Sequence, residues 1–227
     1  METRRHFIKG ILGCFGFVGL LFSPFSALVR SALAEAKKII LPKGTKRESL
    51  IGKNPSDLDT RNLELTPLQD FQTMGPTDHK VDLDVWRLEV KGRVKTPLDL
   101  TYKQITSLPS VERKVLLICP GVFANHGRWK GISMIALLKM VKAEEGVTHV
   151  TVRGPRGPSE KVERFPIQEI LSNKVFLSYQ VNGQVLPEKH GFPLRVVAED
   201  HYGYEWVKYV DQITVEKIQE GSKDKEP

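Results

Sequence analysis

Length, composition and charge place this sequence among globular proteins. Its 227 residues are 40% hydrophobic and 27% charged, which fits one folded domain with a substantial core. Lys and Arg number 34 against 27 Asp and Glu, a formal net charge of +7. An excess this small does not indicate a nucleic-acid-binding protein, and it fits a local anion site or a solvated surface.

The first 34 residues have the features of an export leader. Arg4 and Arg5 stand in a Thr-Arg-Arg-His-Phe-Ile-Lys start, a glycine-rich apolar stretch follows, and Ala32-Leu33-Ala34 suits a signal peptidase. The segment resembles a twin-arginine leader, which directs already folded proteins, often with an inserted cofactor, to the twin-arginine export machinery. We therefore predict a cleaved signal peptide at residues 1–34 and a periplasmic protein. An uncleaved membrane anchor is the alternative, which the glycines disfavour.

The pattern of the sequence changes near residue 81. Residues 35–80 are rich in Lys, Asp, Pro and Thr and have no sustained apolar period, which predicts an irregular N-terminal arm that wraps the domain. Apolar residues then alternate from Val81 to Val90, which predicts strands or one strand with a bulge. Thr101 and Gln104 fit a capping box that opens a short helix through Leu108.

The middle of the chain contains a continuous apolar run. Val115 to Ile118 lead into Cys119, which predicts a buried central strand. Ser133 fits the N-cap of a helix with an apolar face. A strand is predicted from Val147 to Val152, followed by a loop at residues 153–158, where two prolines and two glycines disfavour regular hydrogen bonding.

The last part of the chain is rich in strand signals. Asn182-Gly183 between two apolar runs is a strong β-hairpin signal. The elements predicted here are a helical turn at 166–171, hairpin strands at 175–181 and 185–186, and strands at 194–198 and 207–215. We therefore predict an α+β fold with mixed β-sheets and a few short helices, in a single domain at residues 81–216 followed by a charged tail at 217–227.

Cys119 is the one cysteine outside the predicted leader, because Cys14 lies within it. Pro120 and Gly121 follow, so the chain turns sharply and the thiol can point into the space at the strand end. The residues alone leave three interpretations open. Cys119 is a thiolate ligand for a soft or redox-active metal, a nucleophile with His126 as its base, or a small buried hydrophobic residue.

Three potentially cationic residues cluster in the last third of the chain, among short predicted strands with glycine turns. They are His190, Arg195 and Lys208. Cations beside exposed backbone amides form a cradle for phosphate or pyrophosphate, in which Arg gives a bidentate contact and Lys a point charge. Taken singly, each of these residues is more often a solvated surface residue.

The block that contains these cations carries a family resemblance. From Asn182 the sequence runs Asn-Gly-x-x-Leu-Pro-x-x-His-Gly-Phe-Pro-Leu-Arg, and then Gly-Tyr-x-x-Val-Lys up to Lys208. With this block, residues 81–215 resemble the molybdopterin-binding domain of the sulfite oxidase family. The resemblance implies a molybdopterin-dependent oxidoreductase that transfers an oxygen atom or two electrons, with a molybdenum-molybdopterin cofactor.

The resemblance also implies roles for individual residues. Cys119 matches the catalytic cysteine that ligates molybdenum beside the pterin dithiolene. The residues that match pterin and phosphate contacts are His190, Arg195, Trp206, Val207 and Lys208. The loop around Arg156 and the segment from Phe71 to Met74 fall where further pterin contacts are expected.

Two departures from the family concern the substrate. Sulfite oxidases place one arginine in the segment that corresponds to Phe71–Met74, and a second where this chain has Val122–Ala124. Neither arginine is present here, which disfavours a sulfite dianion as substrate. His126, Arg128 and Tyr204 are the candidates for lining the substrate pocket.

The sequence also bears on the substrate, the electron-transfer partner and alternative functions. The sequence has no Cys-x-x-Cys-His haem motif, so we expect a small-molecule substrate and a separate cytochrome as electron partner in the membrane or periplasm. The main alternative is a non-catalytic anion-binding module of the same fold that has lost the metal. A cysteine hydrolase that uses Cys119 and His126 lacks a recognisable orienting residue.

Overall fold

The structure, a computed structural model, describes residues 38–157 and 160–218. The predicted leader and most of the predicted tail lie outside the described residues. Within the described residues, the compact unit that begins at Ile40 carries both large sheets. Over the described ranges, none of the helices combines the length and apolar character needed to cross a membrane.

Strands dominate the described part of the chain. In chain order they are β1 (Ile39–Ile40), β2 (Leu58–Asp59), β3 (Leu88–Gly92), β4 (Leu98–Leu100), β5 (Ser110–Cys119), β6 (Phe123–Ser133), β7 (His149–Arg153), β8 (Val162–Pro166), β9 (Val175–Val181), β10 (Gln184–Val185), β11 (Arg195–Ala198) and β12 (Gln212–Glu216). The helices are α1 (Tyr102–Thr106), α2 (Met134–Met140) and α3 (Ile167–Leu171), and 3-10 turns lie at Arg47–Leu50, Pro55–Asp57, Leu68–Asp70, Glu188–His190 and Gly203–Glu205. The predicted α+β class is confirmed.

Two five-stranded sheets form the scaffold. The first is antiparallel, with β5, β6 and β9 side by side and with β10 and β11 both paired to β9. The second has the order β4-β3-β12-β7-β8, in which β12 runs parallel to β3 and antiparallel to β7. Strands β1 and β2 form a separate two-stranded sheet.

Strand β5 is buried on both faces towards its end. Val115, Leu117 and Cys119 point into the main core, which also holds apolar side chains of both sheets. Leu116 and Ile118 point the other way, into a second cluster formed with leucines of the N-terminal arm. The continuous apolar run of this strand follows from burial on both faces.

Several local predictions are confirmed. The Thr101 hydroxyl accepts a hydrogen bond from the Gln104 amide at the start of α1, and the Gln104 side chain accepts one from the Thr101 amide, which completes the capping box. The Ser133 hydroxyl caps α2. Asn182 and Gly183 adopt φ values of 52° and 80°, the left-handed conformation that a tight hairpin between β9 and β10 requires.

The prediction of a strand from Val81 is wrong over its first half. The Asp82 side chain accepts a hydrogen bond from the Asp84 amide, and the Asp82 carbonyl accepts one from the Val85 amide. These bonds fold the segment into a turn that leaves Val85 75% exposed. Extended backbone begins only at Leu88. An aspartate that bonds its own backbone favours a turn despite the alternating apolar pattern.

Two further differences bear on the candidate site. Strand β6 is the longest strand of the described chain, pairs with β5 from Phe123 to Ile132, and was not predicted. The last strand starts at Gln212 and not at Val207, because Tyr209 has a φ of 57° and interrupts extended backbone. Residues 207–211 are therefore irregular, and Lys208 and Tyr209 line a cavity.

Candidate functional site

A cavity of about 370 Å³ lies at the end of β5. Its walls come from segments far apart in the sequence. They are residues 71–76, residues 117 and 119 of β5, residues 123, 125 and 129 of β6, residues 160 and 161, residues 190 and 195, and residues 203, 204, 206, 208 and 209. The structure thus brings Cys119, His190, Arg195, Trp206 and Lys208 into one cavity lining, together with Tyr204 and the segment from Phe71.

Cys119 is the last residue of β5 and is 9% exposed. Its Sγ atom lies 3.0 Å from Sδ of Met74. Burial raises the pKa of the Cys119 thiol. Because a nucleophilic cysteine needs a lowered pKa, this environment disfavours nucleophilic catalysis and leaves a thiol that would deprotonate on binding a metal.

His126 does not accompany Cys119, so the predictions that it serves as a base or lines the pocket are wrong. It pairs in register with Leu116, and its Nδ1 lies 3.2 Å from the carbonyl oxygen of Glu64. Neighbouring strand residues point to opposite faces, and His126 is fully buried on the face opposite the cavity. Arg128 is also outside the lining, on the surface, 4.0 Å from a carboxylate oxygen of Glu112.

Arg195 presents a buried positive charge to the cavity. The residue is 5% exposed, and its guanidinium lies over the rings of Trp129 and Trp206, 5.1 and 5.4 Å from their centroids. Its Nη1 donates a hydrogen bond to the His190 carbonyl at 3.0 Å. Burial lowers the pKa of Arg195 to about 10. No carboxylate of the described residues lies within ion-pair distance of this guanidinium.

Lys208 adds a second charge without a carboxylate partner among the described residues. Its Nζ donates hydrogen bonds to the Thr73 hydroxyl and the Lys189 carbonyl, both at 3.2 Å, and to the Pro76 carbonyl. All three partners are neutral. Burial, and then the charge of Arg195, lowers the pKa of Lys208 to about 8. Two uncompensated cations on one cavity are favourable only if an anion joins them.

Two buried nitrogen atoms on the same lining lack a hydrogen-bond partner within the described residues. They are Nε2 of His190 and Nε1 of Trp206. Burial, and then the charge of Arg195, lowers the pKa of His190 to about 4, so its imidazole is neutral at pH 7. An unsatisfied buried polar group costs about 1–3 kcal/mol, so the cavity is suited to a ligand with a polar edge.

The N-terminal wall of the cavity is fastened to β6 by Asn125. Its Nδ2 donates to the Gln72 carbonyl at 2.8 Å, and its Oδ1 accepts from the Gln72 amide at 3.3 Å. Sequence reasoning missed Asn125 and Trp129, because β6 was not predicted. The sequence did contain a signal for these two residues, because neither the asparagine nor the tryptophan fits an apolar period.

Comparison with known proteins decides the family. Residues 74–223 match the family model described as the oxidoreductase molybdopterin binding domain. The chain belongs to this family. The predicted resemblance to the sulfite oxidase type of domain, and the predicted molybdenum-molybdopterin cofactor, are thereby confirmed.

Individual relatives agree with this family. An NADH nitrate reductase of Lotus japonicus is 30% identical over 179 residues, covering 66% of this chain and 20% of the relative. The protein-methionine-sulfoxide reductase catalytic subunit MsrP of Gluconobacter oxydans is 27% identical over 143 residues, covering 56% of this chain and 46% of the relative. The chain therefore spans between a fifth and a half of these relatives.

A solved structure shares the fold. The sulfane dehydrogenase SoxCD of Paracoccus pantotrophus superposes with a TM-score of 0.58 and 18% identity, covering 78% of this chain and 54% of that chain. At this identity the likeness concerns the fold alone.

Two residues predicted to contact the cofactor lie apart from the cavity lining. Val207 is fully buried, and its carbonyl accepts a hydrogen bond from the Val196 amide. Arg156 lines a separate depression together with Arg87 and Asp211. Their roles towards the pterin stay predictions.

The cavity of this oxidoreductase domain fits the molybdopterin cofactor. The two cations match a phosphate, the two orphaned nitrogens match the polar edge of a pterin, and the thiol is a soft donor. These three observations are independent of the family match.

Proposed function

We propose that this protein is a periplasmic molybdopterin-dependent oxidoreductase in which Cys119 ligates molybdenum. The observation that carries the proposal is the composition of one cavity. A single buried thiol shares it with Arg195 and Lys208, two cations that have no carboxylate partner in the described chain.

Each group has a defined task towards the cofactor. Arg195 and Lys208 would hold its phosphate by charge-assisted hydrogen bonds. At the pterin edge, the unpaired Nε1 of Trp206 would donate a hydrogen bond, and the unpaired Nε2 of His190 would donate or accept one. Cys119 would donate its thiolate to the metal. When bound, this cofactor supplies two-electron or oxygen-atom transfer chemistry.

The protein groups are ordered before the cofactor arrives. The indoles of Trp129 and Trp206 fix the plane of the Arg195 guanidinium, and the His190 carbonyl fixes its direction. Asn125 fixes the Gln72 backbone, and so the wall that carries Met74 beside Cys119. Preorganisation of this kind lowers the entropy lost on binding.

Elemental analysis tests the proposal. Protein purified from a molybdenum-supplemented culture should carry molybdenum and releasable pterin in a ratio near one per chain. Protein that folds and binds phosphate but holds no molybdenum would support the anion-binding module instead. Hydrolysis of a thioester substrate by molybdenum-free protein would support the hydrolase.

Export and electron transfer belong to the same proposal. Arg4 and Arg5 begin the predicted twin-arginine leader, so replacing both with Lys should retain the protein in the cytoplasm. Cell fractionation measures this, and unchanged recovery in the periplasmic fraction would contradict the export route. A periplasmic or membrane cytochrome is the proposed electron partner, to be tested by following haem reoxidation or reduction on mixing with the loaded enzyme.

A further inference from the structure

Two of the charged residues on the cavity lining, Glu160 and Lys161, have ion-pair partners. Lys161 pairs with Glu163, and Glu160 pairs with Arg153. These four side chains therefore neutralise one another at the cavity wall. In the neighbouring cavity, which shares Gln72, Phe123 and Asn125 with the first, Arg47 lies 3.9 Å from a carboxylate oxygen of Asp70.

The remaining charge matches the cofactor. His190 is neutral at pH 7 because its pKa is about 4. Arg195 and Lys208 then carry two positive charges. A phosphate monoester carries about −1.5 to −2 at pH 7, so it consumes both of them. Within the described lining, no positive charge is left for an anionic substrate once the cofactor is held.

The lining close to Cys119 is apolar or neutral. Met74 contacts the sulfur of Cys119 and is 55% exposed. Phe123 is the register partner of Cys119 on β6. Tyr204 is 57% exposed and lines the same cavity. An exposed methionine and an exposed tyrosine at a cavity mouth favour a ligand with an apolar body.

We propose that the loaded cavity selects an uncharged organic molecule that gives up or accepts an oxygen atom, and that it disfavours inorganic oxyanions. Met74 and Tyr204 are the specificity-determining contacts. The inference rests on the proposed function, because it takes the cofactor phosphate as the partner of Arg195 and Lys208. An oxyanion that entered would lose its hydration without gaining a protein cation, whereas an uncharged molecule loses little hydration and gains apolar contacts.

Two probes of similar size test the effect of ligand charge separately from that of ligand shape. Methyl phenyl sulfone is uncharged and benzenesulfonate carries one negative charge. Binding is followed by quenching of the cavity tryptophans Trp129 and Trp206. In the molybdenum-loaded protein we expect the sulfone to bind at least tenfold more tightly than the sulfonate. In the cofactor-free protein the order should reverse, since Arg195 and Lys208 are then unpaired.

Two arginine substitutions test the role of Met74 in ligand specificity. Met74→Arg in the loaded protein should shift the sulfone-to-sulfonate preference at least tenfold towards the sulfonate. Val185→Arg is the matched control, because Val185 is 54% exposed and lies outside the lining of this cavity, so the probe preference of this variant should stay near wild type.

The possible results separate failure of the substrate preference from failure of the proposed function. Tighter binding of benzenesulfonate to the loaded wild-type protein, or no binding of the sulfone to it, would overturn the inference and leave the proposed function standing. Equal shifts in Met74→Arg and Val185→Arg would refute the role of Met74. Folded protein that contains no molybdenum would refute the proposed function and, with it, this inference.

Discussion

Replacing Arg195 with Met should separate cofactor binding from fold stability. The guanidinium is almost fully buried, and burial lowers its pKa well below the ordinary value, to about 10. A shift of this size corresponds to about 3 kcal/mol by which burial disfavours the charged form in the cofactor-free protein. Met has a similar unbranched stem and no charge, so the variant removes this cost.

The same change removes favourable contacts. The charge-assisted hydrogen bond to the His190 carbonyl contributes about 1.5–3 kcal/mol, and the contacts over Trp129 and Trp206 about 0.5–1 kcal/mol each. These losses offset the gain. Set against a gain of about 3 kcal/mol, losses of about 2.5–5 kcal/mol place the unfolding free energy of cofactor-free Arg195→Met between about 0.5 kcal/mol above and about 2 kcal/mol below wild type.

The loaded protein should respond differently. Losing one charge-assisted bond to a phosphate costs about 1.5–3 kcal/mol, which raises the cofactor dissociation constant about 10- to 100-fold. Urea unfolding measures the first quantity, and molybdenum content after extended dialysis measures the second. Arg128→Met, a surface arginine outside the cavity, is the control. A cofactor-free variant destabilised by more than about 3 kcal/mol, or one that retains the cofactor like wild type, would refute this reasoning.

Three further predictions concern single residues. Cys119→Ser should lose turnover with an artificial electron donor while its thermal melt stays close to wild type, since a hard hydroxyl replaces a soft thiolate ligand; a fully active variant would exclude the ligand role. Because the pKa of His190 is about 4 in the folded state, the unfolded chain binds more protons between pH 4 and 6.5, and the cofactor-free protein loses up to about 3 kcal/mol as pH falls through that range. In urea titrations at several pH values His190→Gln should lack this share of the loss, and an unchanged slope would contradict the assignment. Gly131→Ala places a Cβ 1.8 Å from the Leu177 carbonyl at the bulge between β6 and β9, so it should cost more than about 4 kcal/mol or prevent folding, and a melt near wild type would show that the strands can separate there.

Elements whose signals are local were predictable from the sequence. The capping box at Thr101, the N-cap at Ser133 and the Asn182-Gly183 hairpin each depend on neighbouring residues alone, and each is confirmed. The buried run that ends at Cys119 was predictable for the same reason. Each of these signals lies within a few residues of the structure it specifies.

Strand β6 was not predictable because its stabilising contacts are distant. It buries Asn125 and His126, polar residues that break an apolar pattern, and their partners are Gln72, Glu64 and Thr66 in the N-terminal arm. Polar residues become compatible with a buried strand only when such partners are in place. The same gap led to the wrong placement of His126 beside Cys119.

The candidate site was predictable in its chemistry and not in its charge balance. The residue pattern supplied Cys119, Arg195 and Lys208 as candidates, and the family resemblance implied their roles. That both cations lack a carboxylate, and that His190 is neutral, depends on burial and on neighbours that the sequence pattern does not place.

The wall formed by Thr73 and Pro76 has a consequence for the order of events in the cell. The Tyr209 hydroxyl donates a hydrogen bond to the Pro76 carbonyl at 3.0 Å, between residues 133 positions apart, and Lys208 binds the same carbonyl. A nascent chain whose Lys208 and Tyr209 have not left the ribosome therefore lacks these bonds to Pro76 and one of the two cavity cations. Cofactor binding by Lys208 must therefore follow synthesis of the chain as far as Tyr209, because the contacts with Pro76 form only when both residues are in place.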